Sequence, residues 1–470
     1  MTRGAAPPPI DAALWASVAA DVALASRAGP DGLEARRAHR LRRLLAAAAQ
    51  HSPLYGRILQ GRDLSRLRLQ DLPVMHKGEL MRDFDRWVAD PGLRLAALRR
   101  FVEDGRRIAD AFHGRYVVWE SSGSSGEPGI FVQDAPAMAV NDALEAARRP
   151  LLHPLLRLWD PWGLSERIAF VGATGGHFAS TVSIERLRRL NPLFADRLRG
   201  ISFLQPLEAI VAALEAFAPT VLATYPSAAM LLAQERRAGR LRLPLREVWT
   251  GGEDLSETGR RFIEDAFGGR VAHSYGASEF LSLASQCALG HLHLNSDWAM
   301  LEVVDAQGRP VPPGGGAGAT TLLTNLANQV QPLIRYDLGD RVAVQAAACA
   351  CGSGLPVIEV QGRSDDTLRL QGRPGHGTVD VLPLALSTVL EEQAGLYDFQ
   401  LVQQGPRDLL LRTGLQGAEG DEALHRARQA LGDFLRTQGA GGVRIACRGG
   451  EAARTLRSGK APRVVAEPRR

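Results

Sequence analysis

The sequence predicts an α/β protein: a large N-terminal region of helices and mixed or parallel sheet, containing a β-rich subdomain, followed by a small α/β unit at the C-terminus. Three observations carry this expectation. Short apolar runs end in turn residues at 167–172, 220–225 and 247–252, and segments of helical periodicity at 207–217 and 227–237 separate them. Strand-and-turn texture takes over at 294–344, with turn signals at 305–308 and 312–318. The final stretch reads as helix (382–393), strand (399–403), strand (409–412), helix (422–435) and strand (443–447). The boundary is set so that 1–363 form the large region and 364–470 the small one, with 1–110 mainly helical and 294–362 β-rich.

Composition narrows the class. A chain of 470 residues, 45% hydrophobic and 23% charged, can bury a substantial core. Its 56 basic and 51 acidic residues are interspersed, which argues against a nucleic-acid partner. Arginine supplies nearly all of the positive charge, and the lysines are Lys77 and Lys460. No run approaches the roughly 18 apolar residues of a membrane span, and residues 1–11 lack a signal-type apolar core. Four cysteines suit a reducing interior, so the cytoplasm is the expected compartment, with no membrane partner.

Taken in order, residues 12–43 read as helix, with Trp15, Val18 and Val22 on one face. Residues 116–119 and 130–132 read as short strands on either side of a Ser/Gly-rich loop, and helix follows at 138–149 with Asp134 as its N-cap. In that loop Ser121, Ser122, Gly123, Ser124, Ser125 and Gly126 can bring backbone amides and hydroxyls close to an anion, which suits a triphosphate. A plain Ser/Gly linker has the same composition, and the loop lacks the Gly-Lys-Ser/Thr ending of a Walker A motif.

Four further elements matter less singly than together. In 274–279, Tyr275 could stack on a purine above the turn at Gly276, and Glu279 could hold a hard cation such as Mg²⁺. In 334–340, Asp340 follows a glycine turn and could accept ribose hydroxyls; an ordinary hairpin looks the same. Residues 361–366 mark the shift into the last unit and could be only a linker. In 457–464, Lys460 on a glycine-flexed loop could meet charge developing at a phosphate, although a solvated tail lysine is the plainer reading.

In this order and spacing the five elements resemble the motifs of the adenylate-forming superfamily, which includes acyl- and aryl-CoA synthetases, peptide-synthetase adenylation domains and luciferases. Residues 74–80 and 334–336 make the pattern most similar to its phenylacetate-CoA ligase-like branch, and the resemblance runs from about Leu72 to Val464. It implies ATP, Mg²⁺ and coenzyme A as cofactors, a carboxylic acid as substrate, and a mobile C-terminal domain. A carrier protein or amine is the alternative acceptor, a non-catalytic ATP-binding regulator the alternative class, and a homodimer is compatible. Ser121 to Gly126 would embrace the pyrophosphate end of ATP. Gly252, Glu253, Tyr275 and Gly276 would border the adenine, and Ser278 would meet the α-phosphate. Glu279 would bind Mg²⁺, Asp340 and Arg363 would hold the ribose, Asp365 would be the hinge, and Lys460 would stabilise adenylate formation. Many loops of the family carry Lys where Glu127 stands here, and a carboxylate cannot neutralise phosphate charge. Gly175, Gly176, His177, Tyr225 and Gly251 would line an acid pocket with room for a flat ring, hence an aryl or arylacetic acid.

Cys287, Cys349 and Cys351 lie near His291 and His293 in segments that such a fold would bring together. Three thiolates and one imidazole form a tetrahedral zinc set, and a closed site of this kind is structural. His293 is the chosen ligand because Leu292-His293 aligns with a Leu-His of the branch, with His291 as substitute. Free buried thiols are the alternative, and Cys447 reads as a core residue.

Overall fold

The computed structural model describes residues 7–8, 10–121, 128–148, 165–253, 255–361, 368–372, 377–381, 383–396, 399–450 and 464–465. The opening is helical, but the segment read over 12–43 is two helices, α1 (Ala12–Ala25) and α2 (Pro30–His51). Gly29-Pro30 separates them, because proline supplies no N–H and disfavours helical backbone in the residue before it. Asp11 caps α1 by accepting from the Leu14 amide.

β1 (Val117–Glu120) and β2 (Ile130–Gln133) pair antiparallel around the Ser/Gly loop, with Glu120 opposite Ile130. Asp134 then starts α3 (Ala135–Arg148), its carboxylate accepting from the Ala137 amide at 2.9 Å. A wound βα region follows: β3 (Ile168–Gly172), α4 (Ala179–Leu190), β4 (Leu198–Ser202), α5 (Leu207–Phe217), β5 (Val221–Thr224), α6 (Pro226–Arg237), β6 (Glu247–Gly251), α7 (Glu257–Phe267) and β7 (Arg270–Ala277). These strands run parallel in the order β4-β3-β5-β6-β7. The chain leaves β3 to one side and returns to its other side, so a crevice forms beyond the carboxyl ends of β3 and β5. Alternate residues of these strands, among them Ala169, Val171, Leu222 and Val248, are buried in one cluster with side chains of α5, α6 and α7.

β8 (Phe280–Gln286) reverses beside β7, and β9 (Leu292–Leu294) pairs with β8. β10 (Ala299–Val304), β11 (Thr320–Asn325) and β12 (Tyr336–Asp337) form a separate three-stranded sheet. β13 (Arg341–Val344) and β14 (Val357–Gln361) instead extend the central sheet through β9, bringing it to nine strands. The β-rich texture is thus shared between two sheets, because the free edge of β9 is completed by β14.

In the last unit β15 (Leu368–Gln371) and β16 (Thr378–Val381) form a hairpin that the sequence reading left out. Helix α8 (Pro383–Thr388) follows and runs on as a π-helical turn, Val389–Gln393. β17 (Gln400–Gly405), β18 (Asp408–Arg412), α9 (Gly417–Thr437), β19 (Arg444–Arg448) and β20 (Val464–Val465) complete it, with the four strands in the order β19-β18-β17-β20.

A buried charge network ties the helical opening to the sheets. Arg148 of α3 donates to both oxygens of Asp297, at 2.6 and 2.8 Å, and Asp297 is 0% exposed. Arg40 of α2 lies 3.5 Å from the same carboxylate, stacks 3.5 Å over the Trp298 ring and also pairs with Asp21 of α1.

Candidate active site

A cleft of about 1530 Å³ runs along one face of the parallel strands and past their carboxyl ends. Most of the nominated residues that the structure describes lie on its wall: Ser121, Tyr225, Gly251, Gly252, Glu253, Tyr275, Gly276, Ser278, Glu279 and Asp340. Ser122, Gly123, Ser124, Ser125, Gly126, Arg363, Asp365 and Lys460 lie outside the described residues, as does Glu127. The neck of the Ser/Gly loop is described: the Ser121 amide donates to the Gly129 carbonyl at 2.8 Å, and the Gly129 amide donates to Ser121 Oγ at 2.9 Å.

The 274–279 element is a strand reversal. β7 and β8 pair with a register shift between Tyr275 and Ala277, and a Cβ on Gly276 would lie 1.8 Å from the Leu281 carbonyl oxygen. Only glycine fits that approach. Gly276→Ala is therefore expected to destabilise the fold by about 3 kcal/mol and to yield mostly insoluble protein. Soluble variant protein melting at the wild-type temperature would show that Leu281 can retreat.

The reversal places Glu279 in a defined polar setting. Trp119 Nε1 donates to the Ser278 carbonyl at 2.8 Å and Asn325 Nδ2 to the Glu279 carbonyl at 2.9 Å, which fixes the backbone. Tyr336 Oη donates to Glu279 Oε1 at 2.7 Å. Burial pushes the Glu279 carboxyl above the usual carboxylate range, while the Tyr336 hydrogen bond and the charge of Lys77 pull it back down. Burial and the Glu279 charge raise Tyr336, so its phenol stays protonated and remains the donor. Tyr275 Oη donates to Asp340 Oδ2 at 2.8 Å, joining the two motifs named for adenine and ribose.

Lys77 and His76 were missed as site residues. The Met75 amide donates to the Arg335 carbonyl and the Met75 carbonyl accepts from the Asp337 amide, both at 2.9 Å, and this bridge brings His76 and Lys77 to the cleft beside Glu279. The signal available in the sequence was the rarity of lysine in this chain. His273 was missed too. It lines the cleft, bonds Thr250 Oγ1 at 2.9 Å, and is held neutral by burial and the neighbouring Arg260, with its pKa lowered to about 4.

Some nominated residues have other partners. Glu253 accepts from the Ser227 amide and hydroxyl, both at 2.9 Å, and so anchors the first turn of α6. Burial pushes Tyr225 up to about 12, and its ring meets Phe203 edge-on at 6.0 Å. The structure does not bring Gly175, Gly176 and His177 to the cleft wall. His177 is 0% exposed, packs against the Phe101 ring at 5.3 Å and has Nε2 3.2 Å from the Asp104 carbonyl. Gly175 and Gly176 face the C-terminal unit: a Cβ on either would lie 3.4 or 3.1 Å from the carboxylate of Glu392.

That contact is pH-sensitive. Burial, then the charges of Glu392, Glu391 and Glu103, raises Glu120 to about 7, while burial and Glu391 raise Glu392 to about 7. The nearby arginines are engaged elsewhere, Arg106 with Asp104 and Arg107 with Asp110 and the face of Phe101. Both carboxyls bind protons more tightly when packed. The contact is therefore strongest below an ordinary Glu value of about 4.5 and weakens as pH rises through about 7. Glu392 keeps a solvent-open side, which screens the repulsion. Hydrogen-exchange protection of 383–393, corrected for intrinsic rates, is expected to fall over that window, and Glu392→Gln to flatten the dependence. An identical profile in the variant would refute the assignment.

Cys287, His293, Cys349 and Cys351 each bring one donor atom to within 4.8 Å of the others, where the turn after β8 meets the loop between β13 and β14.

Comparison with known proteins gives a likeness in sequence over part of the chain and a likeness in fold over nearly all of it. Residues 199–319 match the family model described as "AMP-binding enzyme". A 2-hydroxyisobutyryl-CoA ligase, solved with 2-HIB-AMP and CoA in the thioesterification state, shares the fold at a TM-score of 0.58 and 21% identity, covering 94% of this chain and 91% of that one. Its open conformation gives a TM-score of 0.52 at 21% identity, covering 92% and 91%. A phenylacetate-coenzyme A ligase of Thermus thermophilus is 30% identical over 183 residues, which is 37% of this chain and 39% of the relative.

Proposed function

We propose that the protein activates a carboxylic acid with ATP and passes the acyl group to coenzyme A. In the first step a carboxylate oxygen attacks the α-phosphorus, the bond to pyrophosphate breaks, and an acyl-adenylate forms. In the second the thiolate of coenzyme A attacks the acyl carbon and AMP leaves, giving the thioester. The observation that carries the reading is the convergence of Ser121, Tyr275, Glu279, Tyr336 and Asp340 at one end of the parallel sheet.

The residues have separable tasks in this scheme. The Ser121 neck presents the phosphate loop, and Lys77 supplies positive charge on the same wall. Asp340, oriented by Tyr275, offers a carboxylate oxygen to ribose hydroxyls. Glu279, oriented by Tyr336, offers a hard oxygen donor suited to Mg²⁺, which when bound offsets phosphate charge. Lys460 is given the stabilisation of adenylate formation on the strength of its motif alone. No protein nucleophile is required, and the protein's contribution is orientation and charge.

We favour an aromatic acid, supported by Phe170, Tyr225 and Trp249 on the cleft wall with the small Ala223 level with Phe170 and Trp249 in the strand register. Zinc is given a structural place outside this chemistry. The cytoplasm is retained as the compartment, supported by the free cysteines; no described helix is long and apolar enough to cross a membrane. The test is acid-dependent pyrophosphate release over benzoates, aminobenzoates, phenylacetates and short fatty acids, with coenzyme A, a carrier protein or no acceptor supplied. Turnover of fatty acids alone would remove the aromatic assignment, and no release with any acid would remove the enzyme.

A further inference from the structure

We infer that Cys287, His293, Cys349 and Cys351 hold one Zn²⁺, that His291 is an outer donor and not a ligand, and that the ion pins the helical opening to the edge of the central sheet. None of this depends on the adenylation chemistry.

The four donors come from two turns far apart in the chain. One joins β8 to β9, where the Cys287 amide donates to the His291 carbonyl at 2.9 Å and Gly290 takes φ +88°. The other lies between β13 and β14, where the Gly352 amide donates to the Cys349 carbonyl at 3.1 Å and Gly352 takes φ +81°. Both glycines sit in the left-handed region that tight turns need. Pairing of β9 with β14 brings the turns together.

The spacing matches a tetrahedral ion. Zn–S bonds of about 2.3 Å and Zn–N bonds of about 2.0 Å put two ligand sulfurs about 3.8 Å apart and a sulfur and nitrogen about 3.5 Å apart. Cys287 Sγ and Cys349 Sγ are 4.0 Å apart, and Cys351 Sγ and His293 Nε2 are 3.4 Å apart. A mixed set of three thiolates and an imidazole favours zinc over hard cations, and four protein donors close the shell, so the site is structural.

The two histidines are told apart by their second nitrogens. His293 Nδ1 lies 2.8 Å from the Leu355 carbonyl, so it carries the hydrogen and leaves Nε2 free to ligate, and the ring is 4% exposed. His291 Nδ1 lies 3.2 Å from Cys349 Sγ. There it donates to the thiolate and offsets part of the net negative charge of a Zn–thiolate₃ centre.

The clamp reaches further than the two turns. Leu355, four residues past Cys351, is buried with Ala25 of α1 and Leu33 of α2. A Cβ on Gly354 would lie 2.7 Å from the Ala28 carbonyl, so the loop is wedged against the connection between those helices.

Elemental analysis of the full-length protein, purified without chelator, is expected to find about one zinc per chain. Co²⁺ exchanged into the wild type should show the charge-transfer absorption of a tetrahedral multi-thiolate site. His293→Ala and Cys351→Ser should lose the metal, and His291→Ala should keep it with affinity weakened by about 10–100-fold. Chelation should lower hydrogen-exchange protection at 345–356 and at 25–33 together. The cobalt spectrum needs only wild-type protein, so variants that fail to fold leave the test intact. Zinc below about 0.2 per chain with no cobalt spectrum, a Cys287–Cys349 disulfide on thiol counting, or metal lost from His291→Ala but kept by His293→Ala would each overturn the assignment.

Discussion

Glu279→Gln is expected to lower acid-dependent pyrophosphate release by about 10²–10³-fold, the cost of one preorganised electrostatic contact to a reacting phosphate. The amide keeps an oxygen that can accept from Tyr336 Oη, now at 2.7 Å, so the hydrogen bond and the local packing survive. Only the charge is removed. Lys77 then loses the anion it faces, and the cleft loses its candidate hard-cation ligand beside Asp340. Binding of AMP, which needs less charge compensation than ATP, should change by less than about threefold. Raising Mg²⁺ should recover part of the rate if Glu279 contributes to holding the ion. A variant within about threefold of wild type in pyrophosphate release would sink the role assigned to this carboxylate.

Asp297→Ala carries the largest expected effect on stability, a loss of about 3–5 kcal/mol. The carboxylate is buried, receives both arms of Arg148 and sits 3.5 Å from Arg40. Removing it leaves the Arg148 guanidinium, whose side chain is 5% exposed, without its bidentate partner. Arg40 retains Asp21 and the Trp298 face, so the damage should centre on the seat of α3. Trp298 fluorescence and a denaturant titration read this directly. A midpoint shift worth less than about 1 kcal/mol would mean that water reaches Arg148 in place of the carboxylate.

Much of the local structure was legible because local rules govern it. Asp134 caps its helix, the strands at 168–172, 221–224 and 247–251 end in turn residues, and the Ser/Gly loop lies between paired strands as its apolar flanks required. Tyr275, Glu279 and Asp340, which share one cleft, could be named from motif order. Their hydrogen-bond partners could not. Tyr275 finds Asp340 across 65 positions and Glu279 finds Tyr336 across 57, distances over which no periodicity operates. The same limit explains Glu253, whose oxygens are taken by Ser227, and Gly175–His177, which the winding of β3 into α4 turns towards Phe101 and Glu392.

The sequence alone therefore determined the types of element and brought forward residues whose chemistry suits phosphate, ribose, a hard cation and zinc. Tertiary structure decided which of them face one cleft. It brought Lys77 beside Glu279, closed β13 and β14 onto the sheet edge, and gave His291 and His293 different partners. The reason is physical: helices, strands and turns follow from side chains a few residues apart, whereas a site is assembled by strand pairing and burial between segments whose separation along the chain carries no local signal.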